Sequence, residues 1–420
     1  VARKMKTNLN INLPFIRQWT QKQGSYLTGT MDNHRLSTTL QPIYSLAHKR
    51  IVGYEALIRI KDEASAPVSP DLFFNQERSD GQTVHLDRLC RYLHIHNFKT
   101  LNDDINWLFL NVSPKTIACG KAYGSFFKEM LEALDFPAHR VVIEVVEHPL
   151  DDISLIMKTV EYYKELGCLI AIDDFGAGHS NFDRIWSLKP DIVKLDRSFL
   201  TRADADQDIR DMLPGIVTLL HQAGALVIME GIETRAQALT AIESDVDFVQ
   251  GFFFGRPYTD LAHPPESFQG FSSLMEQFKT EADITEARFQ EGIQRFGRLF
   301  YHAADRVKCG DSLKEACQGL FQAPEVIRCY QVGTDGIQIG QTLVADTCTT
   351  CLDKRFRPLE DAKSADWFRR HYLKRAIFHP EQLQVTRPYL SITGAHMCIT
   401  LSMKFKSPSG DSVLCCDLEV

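Results

Sequence analysis

The 420-residue chain is longer than one ordinary domain, which predicts one large domain and a smaller one. Its formal charge of -7 and pI near 6.1, with no basic face or arginine-rich arm, argue against a standing nucleic-acid (DNA or RNA) binder, so an anionic substrate must be held by local arginines or by metal ions. No apolar run is long enough to span a bilayer and no signal peptide is recognisable, while eleven cysteines without framework spacing fit a reduced, cytoplasmic compartment.

Residues 1–36 mix Asn, Gln, Lys and Gly with few periodic apolar positions, and read as a leader with one short helix around Pro14 to Trp19. Val1 in place of a methionine leaves an N-terminal continuation open. From Thr38 the pattern changes. Leu40 to Tyr44 and Ile51 to Ile60 flank the polar Ala47-His48-Lys49-Arg50, which predicts a hairpin. Pro70 to Phe98 sets Leu72, Phe73, Val84, Leu86, Leu89, Leu93 and Phe98 among charged residues, as two helices would. Apolar runs follow at Trp107 to Val112, Val141 to Val146, Leu169 to Ile172, Ile192 to Leu195, Ala225 to Met229 and Phe248 to Phe254. Helix-like stretches such as Ile153 to Leu166 and Ile209 to Ala223 lie between them. Asn111, Glu144, Asp173, Lys194, Glu230 and Gln250 mark the run ends, spaced on average by roughly the thirty residues of one βα unit. Such alternation predicts a parallel sheet closed into a TIM-like (β/α)8 barrel over residues 37–265. The opening hairpin breaks the pattern, because strands joined by a short turn are antiparallel, so one barrel strand must run backwards.

Past Pro257 the composition shifts. Phe289, Ile293, Phe296, Phe300, Ala303 and Val307 form one apolar stripe on a connecting helix assigned to 266–310. The stripe reads as core contact, with a dimeric helix pair as the sharper alternative. Residues 311–420 read as an α+β domain on an antiparallel sheet, with a strand at Val326 to Val332, a turn at Thr334-Asp335-Gly336 and a helix around Trp367 to Ile377. Met397, Ile399, Leu401, Met403 and Phe405 alternate with His396, Cys398, Thr400, Ser402 and Lys404, which predicts a strand with one buried face. Leu414, Cys416, Leu418 and Val420 repeat that face on the last strand. Cys348-Thr349-Thr350-Cys351 has metal-like spacing that Cys415-Cys416 could complete; without a second CxxC, unconnected thiols are the preferred reading.

Chemistry gathers at the strand ends. Glu55, Asn111, Glu144, Asp173, Asp174 and Glu230 would converge on one rim, where five carboxylates raise each other's pKa unless cations intervene. An all-oxygen set suits Mg²⁺ or Mn²⁺. Adjacent Asp173 and Asp174 suit a bridged pair of ions, at the separation of about 3.5 to 4 Å used for in-line displacement at phosphorus. Lys194 sits one strand further on, where an ammonium can hold a water, and Glu230 and Glu233 lie beyond it as ligand, base or support. Singly, each has an ordinary reading: a helix cap for an acid at a strand end, a turn for Asn111, a solvated charge for Lys194, a strand tie for Gln250. Six at successive strand ends are much harder to explain so. An enolase-type barrel is also rich in carboxylates, but it needs a base beside a carbon acid, whereas adjacent aspartates suit phosphorus chemistry.

Glu55-Ala56-Leu57, Asn111-Val112-Ser113-Pro114, Glu144-Val145-Val146-Glu147, Asp173-Asp174-Phe175-Gly176-Ala177-Gly178, Val193-Lys194-Leu195-Asp196, Glu230-Gly231-Ile232-Glu233-Thr234 and Gln250-Gly251 resemble the motif series of EAL-domain cyclic-di-GMP phosphodiesterases, over roughly Leu40 to Pro257. The resemblance implies a barrel whose first strand is antiparallel, and hydrolysis of one phosphodiester of cyclic di-GMP to linear pGpG with Mg²⁺ or Mn²⁺, two ions in all, Ca²⁺ being inhibitory. By motif, Glu55, Asn111, Glu144 and Asp173 would hold one ion and Asp173 with Asp174 the other. Lys194 would position the water, Glu230 would act as general base or water-mediated ligand, and Glu233 and Gln250 would support them. Gln41 and Arg59 match positions that contact the dinucleotide, the planar fork of Arg59 suiting a phosphate oxygen. Asp174 to Asn181 resembles the family's mobile loop, which shapes the metal site and the dimer contact and which Glu147 would anchor. Val146 stands where the family usually has threonine, which bears on rate and regulation. Residues 311–420 resemble PAS-like or Cache-like sensor domains through Arg387-Pro388-Tyr389 and Cys398 to Ser402, implying a small ligand or a protein partner there. The expected protein is a homodimeric cyclic-di-GMP phosphodiesterase modulated by its C-terminal domain. The alternative is a non-catalytic receptor for the dinucleotide, against which the complete metal set and Lys194 argue.

Overall fold

The computed structural model describes residues 10–112, 116, 126–145, 153–178, 182–264, 266–346, 362–392, 396–407 and 410–419. Val146, Glu147, the 179–181 part of the expected loop, Cys348 and Cys351 lie outside these residues. The chain divides into two units, Val1–Lys279 and Thr280–Val420.

In the first unit the strands are β1 (Thr20–Gln23), β2 (Tyr26–Met31), β3 (His34–Ser45), β4 (Arg50–Lys61), β5 (Pro67–Val68), β6 (Trp107–Val112), β7 (Val141–Val145), β8 (Leu169–Phe175), β9 (Ile192–Leu195), β10 (Leu226–Met229) and β11 (Phe248–Val249). β3 pairs antiparallel with both β4 and β11, while the remaining neighbours from β4 through β6 to β11 are parallel. The result is an eight-stranded mixed barrel closed by the reversed β3, as the hairpin predicts. Helices cover its outside. The helix Asp80–Lys99 begins at a capping box in which Ser79 Oγ accepts from the Gln82 N–H and Gln82 Oε1 accepts from the Ser79 N–H. It buries Leu86, Leu89, Leu93 and Phe98, each contributing about 1.5–3 kcal/mol of hydrophobic stabilisation.

Two expectations change here. Residues 20–36, read as leader, form β1, β2 and the start of β3, an antiparallel extension of the barrel sheet. Their signal was weak because β1 is almost wholly exposed and β2 is held partly by a polar clamp. Buried Asn97 accepts from the Leu27 N–H at 2.7 Å and donates to the Leu27 carbonyl at 2.9 Å. The run Phe248 to Phe254 is strand for only two residues. The chain turns at Gly251 against Ile232, where a Cβ would lie 2.1 Å from the Ile232 carbonyl oxygen.

The helix Phe271–Lys308 begins in the first unit, where Phe271 and Leu274 join the barrel's outer core, so barrel packing extends past residue 265. The second unit is built on β12 (Val326–Gly333), β13 (Gln338–Val344), β14 (Gln384–Val385), β15 (Tyr389–Leu390), β16 (Met397–Ser407) and β17 (Gly410–Glu419), all antiparallel in one sheet. Phe296, Phe300, Ala303 and Val307 pack against Leu401, Met403, Leu414 and Cys416 on one face, so the apolar stripe is core contact. The other face is covered by Tyr372 and Leu373 of the helix His371–Phe378. Both faces of β16 and β17 are therefore buried, where the alternation predicts one. Thr400, Ser402 and Asp417 are fully buried because they satisfy one another and nearby backbone, not water. Cys415 and Cys416 follow each other on β17 and join opposite faces, so they cannot share one metal. Among the described residues no helix is long and apolar enough to cross a membrane.

Candidate active site

The site follows from strand periodicity. Ile43, Phe109, Val142, Ala171, Ile192, Ile228 and Phe248 form one apolar layer across the barrel interior. Two residues further along each parallel strand, on the same inward face, stand Asn111, Glu144, Asp173, Lys194, Glu230 and Gln250. On reversed β3 the step runs the other way, from Ile43 to Gln41, and Gln41 pairs directly with Glu55 of β4. Below Glu55 the layer has Gly53 because the Phe109 ring fills its space: a Cβ there would lie 2.8 Å from Phe109 Cε2. A hydrophobic floor thus carries a polar ring at the carboxyl ends of the strands.

Asp173 and Asp174 need a second device, since consecutive strand residues normally face opposite ways. Ile172 pairs with Val193 and Phe175 with Leu195, so two residues of β8 lie opposite the single Lys194. This is a β-bulge, and Asp174 takes the left-handed conformation with φ of 54°. Both carboxylates turn to one side. Among the described residues, Asp173, Asp174 and Glu230 are the one group of three acids that each offer a carboxylate oxygen within 4.8 Å of the others.

Lys194 is the ring's cation, buried with its Nζ 2.6 Å from Glu144 Oε1, 2.7 Å from Glu230 Oε1, 3.0 Å from Asp173 Oδ1 and 3.5 Å from Glu55 Oε2. Burial works against its charge, but the four carboxylates more than offset this and hold its pKa well above the ordinary range. Burial pushes the Glu144 carboxyl well up, and Glu55 and Asp173 add to the shift against the opposing pull of Lys194. Glu230 is raised to about 8 by burial against the opposing charge of Lys194, with Asp173 and Glu55 adding to the rise. Asp174 is raised to about 6 by burial, then by Asp173 and Asp196. Five carboxylates share one ammonium, and this excess of negative charge fits divalent ions. The donors are all oxygen, and Glu144 Oε2 is buried without a hydrogen-bond partner among the described residues.

Gln250 Nε2 donates to Glu55 Oε2 at 2.6 Å, and Asn111 Nδ2 donates to Glu55 Oε1 at 3.4 Å, which fixes Glu55 and leaves the Asn111 carbonyl oxygen as a donor atom. Gln41 is buried, its Nε2 donating to the Gly255 carbonyl at 3.5 Å. Arg59 is half-buried four residues beyond Glu55 on the same face; burial lowers its pKa while Glu55 opposes the shift. Glu233 stands apart. It is exposed on the loop after Glu230, and its side chain makes no hydrogen bond or ion pair among the described residues. The bulge was not foreseen; the adjacent aspartates were its only trace in the sequence.

Residues 26–257, more than half of the chain, match the EAL domain family. The chain belongs to that family. Among EAL relatives it is 28% identical over 255 residues to the signaling protein YkoW of Bacillus subtilis, covering 59% of this chain and 31% of that protein. Bacillus subtilis YkuI, an EAL-domain containing protein, is 28% identical over 245 residues, or 57% of this chain and 58% of YkuI. Pseudomonas aeruginosa NbdA, named a cyclic di-GMP phosphodiesterase, is 28% identical over 240 residues, or 55% of this chain and 30% of NbdA. In these sequence alignments the chain thus covers less than two thirds of each EAL protein. The crystal structure of YkuI, in complex with cyclic di-GMP and calcium, superposes with a TM-score of 0.75 at 23% identity, covering 92% of this chain and 96% of that one, so the two share a fold.

Proposed function

We propose that this chain hydrolyses one phosphodiester of cyclic di-GMP to linear pGpG, with two Mg²⁺ or Mn²⁺ ions at the ring and Ca²⁺ as an inhibitory substitute. The β8 bulge carries this reading, because it turns successive aspartates toward Glu230 and supplies the crowded oxygens that paired ions require. Glu55, Asn111, Glu144 and Asp173 hold one ion, and Asp173 with Asp174 the other. When bound, the ions polarise the phosphorus–oxygen bonds and make water more acidic. Lys194 keeps four carboxylates at set distances around one ammonium and orients the attacking water. Glu230 accepts that water's proton. Arg59 and Gln41 hold the dinucleotide, Gln250 steadies Glu55, and Glu233 acts from the rim as support. The names of NbdA and of the YkuI complex support the substrate.

The second unit is read as a PAS-like or Cache-like sensor that modulates the barrel of a cytoplasmic homodimer, in which the 174–181 loop, with Glu147 as its anchor, would shape the metal site and the dimer contact. The deciding experiment is chromatography of cyclic di-GMP incubated with the protein and Mg²⁺, beside an EDTA control. Linear product that disappears with EDTA is expected. Nucleotide that stays bound but uncut points instead to a non-catalytic receptor.

A further inference from the structure

Beyond the ring, β3 and β4 run on together as a two-stranded ribbon, and their register fixes what each face carries. Gln41 pairs with Glu55, Thr39 with Leu57, Ser37 with Arg59 and Arg35 with Lys61. One face turns toward the helix Asp80–Lys99: Leu36, Ile58 and Ile60 are buried on that side, and Thr38 Oγ1 lies 3.1 Å from His94 Nδ1 and accepts from Asn97 Nδ2 at 3.0 Å. The opposite face continues that of Gln41 and Glu55, and it carries Arg59, half-buried, with Arg35 and Lys61, both exposed. Arg35 stands directly across from Lys61, and Arg59 precedes Lys61 by two residues on the same side of β4. Like charges directly opposite on paired strands are destabilising. Among the described residues none of the three forms an ion pair: Arg35 donates to the neutral Gln23 Oε1, Arg59 to the Ile58 carbonyl at 3.1 Å, and Lys61 makes no side-chain hydrogen bond. Three cations are thus gathered without an ion-pair partner in a chain whose formal charge is -7. Packing does not ask for this arrangement, so it points to a ligand.

We propose that Arg35 and Lys61 recognise the outer guanine of the dinucleotide and select it over adenine; this rests on the functional reading above, in which the ring holds the phosphodiester to be cut. Lys61 lies six residues beyond Glu55, a rise of about 20 Å that two long side chains shorten to the reach of an extended cyclic dinucleotide. An ammonium and a guanidinium offer donors only. Guanine presents two acceptors, O6 and N7, side by side on one edge, where adenine puts an amino donor in place of O6. Paired donors on that edge therefore discriminate between the bases, which a merely attractive charge does not. A bare phosphate fits the outer pair less well, because Arg59, nearer the ring, already takes that role and leaves Arg35 and Lys61 to the base.

The test is titration calorimetry of the full chain with cyclic di-GMP and with cyclic di-AMP, with Ca²⁺ in place of Mg²⁺ and chromatography to verify that the nucleotide stays uncut. Wild type is expected to bind cyclic di-GMP about tenfold or more tighter than cyclic di-AMP. The double variant Arg35→Gln with Lys61→Gln should lose about tenfold or more in affinity for cyclic di-GMP while its affinity for cyclic di-AMP changes less than about threefold, so that the preference collapses. Lys61→Arg keeps the donors and should keep the preference. Lys61→Gln removes a repulsion, so without nucleotide it should melt no lower than wild type, which separates a lost contact from a damaged fold. The inference is overturned if the double variant keeps the wild-type preference. It is overturned equally if both nucleotides weaken by the same factor, since the face would then be a general attraction for phosphate. A wild type that binds neither nucleotide overturns the functional reading itself and this inference with it.

Discussion

Replacing Lys194 by methionine removes the ammonium while nearly keeping the side chain's length. In the metal-free protein this strips four carboxylates of a cation that stands 2.6 to 3.5 Å away, at a position only 1% exposed to water. Removing one partner of a buried pair costs about 3–5 kcal/mol. Glu144 and Glu230, already pushed up by burial, can take up protons and relieve part of the strain, so the lower end, about 3 kcal/mol, is expected near neutral pH. For a unit of this size each kcal/mol lowers the melting temperature by roughly 2–4 °C, which gives a drop of about 6–12 °C. The assay is thermal and urea unfolding of EDTA-treated wild type and Lys194→Met, followed on the barrel's transition, with and without Mg²⁺. Magnesium should restore more stability to the variant than to the wild type, because the ions then supply the missing positive charge. A metal-free variant within about 0.5 kcal/mol of the wild type would mean that this ammonium is not the ring's counter-charge.

Glu230→Gln should keep most of its affinity for cyclic di-GMP and lose about 10² to 10⁴ in rate, whereas Glu55→Ala and Asp173→Ala should abolish turnover with the fold intact by circular dichroism; unchanged turnover in these variants removes the assigned roles. His94 is buried beside Thr38 Oγ1 at 3.1 Å, and burial lowers its pKa from 6.5 to about 3. The folded state favours the neutral ring, so its contribution is full above pH 6.5 and is lost as pH falls toward 3, about 2–3 kcal/mol by pH 4.5. His94→Gln should flatten the stability profile between pH 7 and 4.5 by that amount, and an unaltered profile would contradict it. Truncation after Lys279, which keeps Phe271 and Leu274 in the barrel core, should change the oligomeric state or the turnover of cyclic di-GMP if the second unit modulates the first; identical behaviour would leave that unit without a regulatory part.

The barrel was legible because an inward-facing side chain recurs every second residue. An apolar run ending in Glu144 or Lys194 therefore announces both the floor and the ring above it. The hairpin at Ala47 to Arg50 likewise fixed the direction of β3 from local geometry alone. What was not legible depends on neighbours distant in sequence. The joint aim of Asp173 and Asp174 is set by the register of β8 against β9, and no local pattern encodes that register. The early stop of β11 depends on Ile232 lying against Gly251. Thr400, Ser402 and Asp417 looked solvent-facing because polarity was taken for exposure. Ser402 meets the Tyr372 carbonyl 30 residues back in the chain, and Asp417 meets Tyr330 and Arg328, 87 and 89 residues back.

The apolar floor of the barrel has a consequence for traffic. Ile43, Phe109, Val142, Ala171, Ile192, Ile228 and Phe248 are all buried, so among the described residues the barrel is a cup closed below its acidic rim. On the proposed function, cyclic and linear dinucleotide would pass through that rim in turn, and an occupant on its way out would bar the next arrival. Linear dinucleotide should therefore act as a purely competitive inhibitor of cyclic di-GMP turnover, with initial-rate lines meeting on the ordinate of a double-reciprocal plot. Lines meeting elsewhere would require a second entrance or a separate seat for the product.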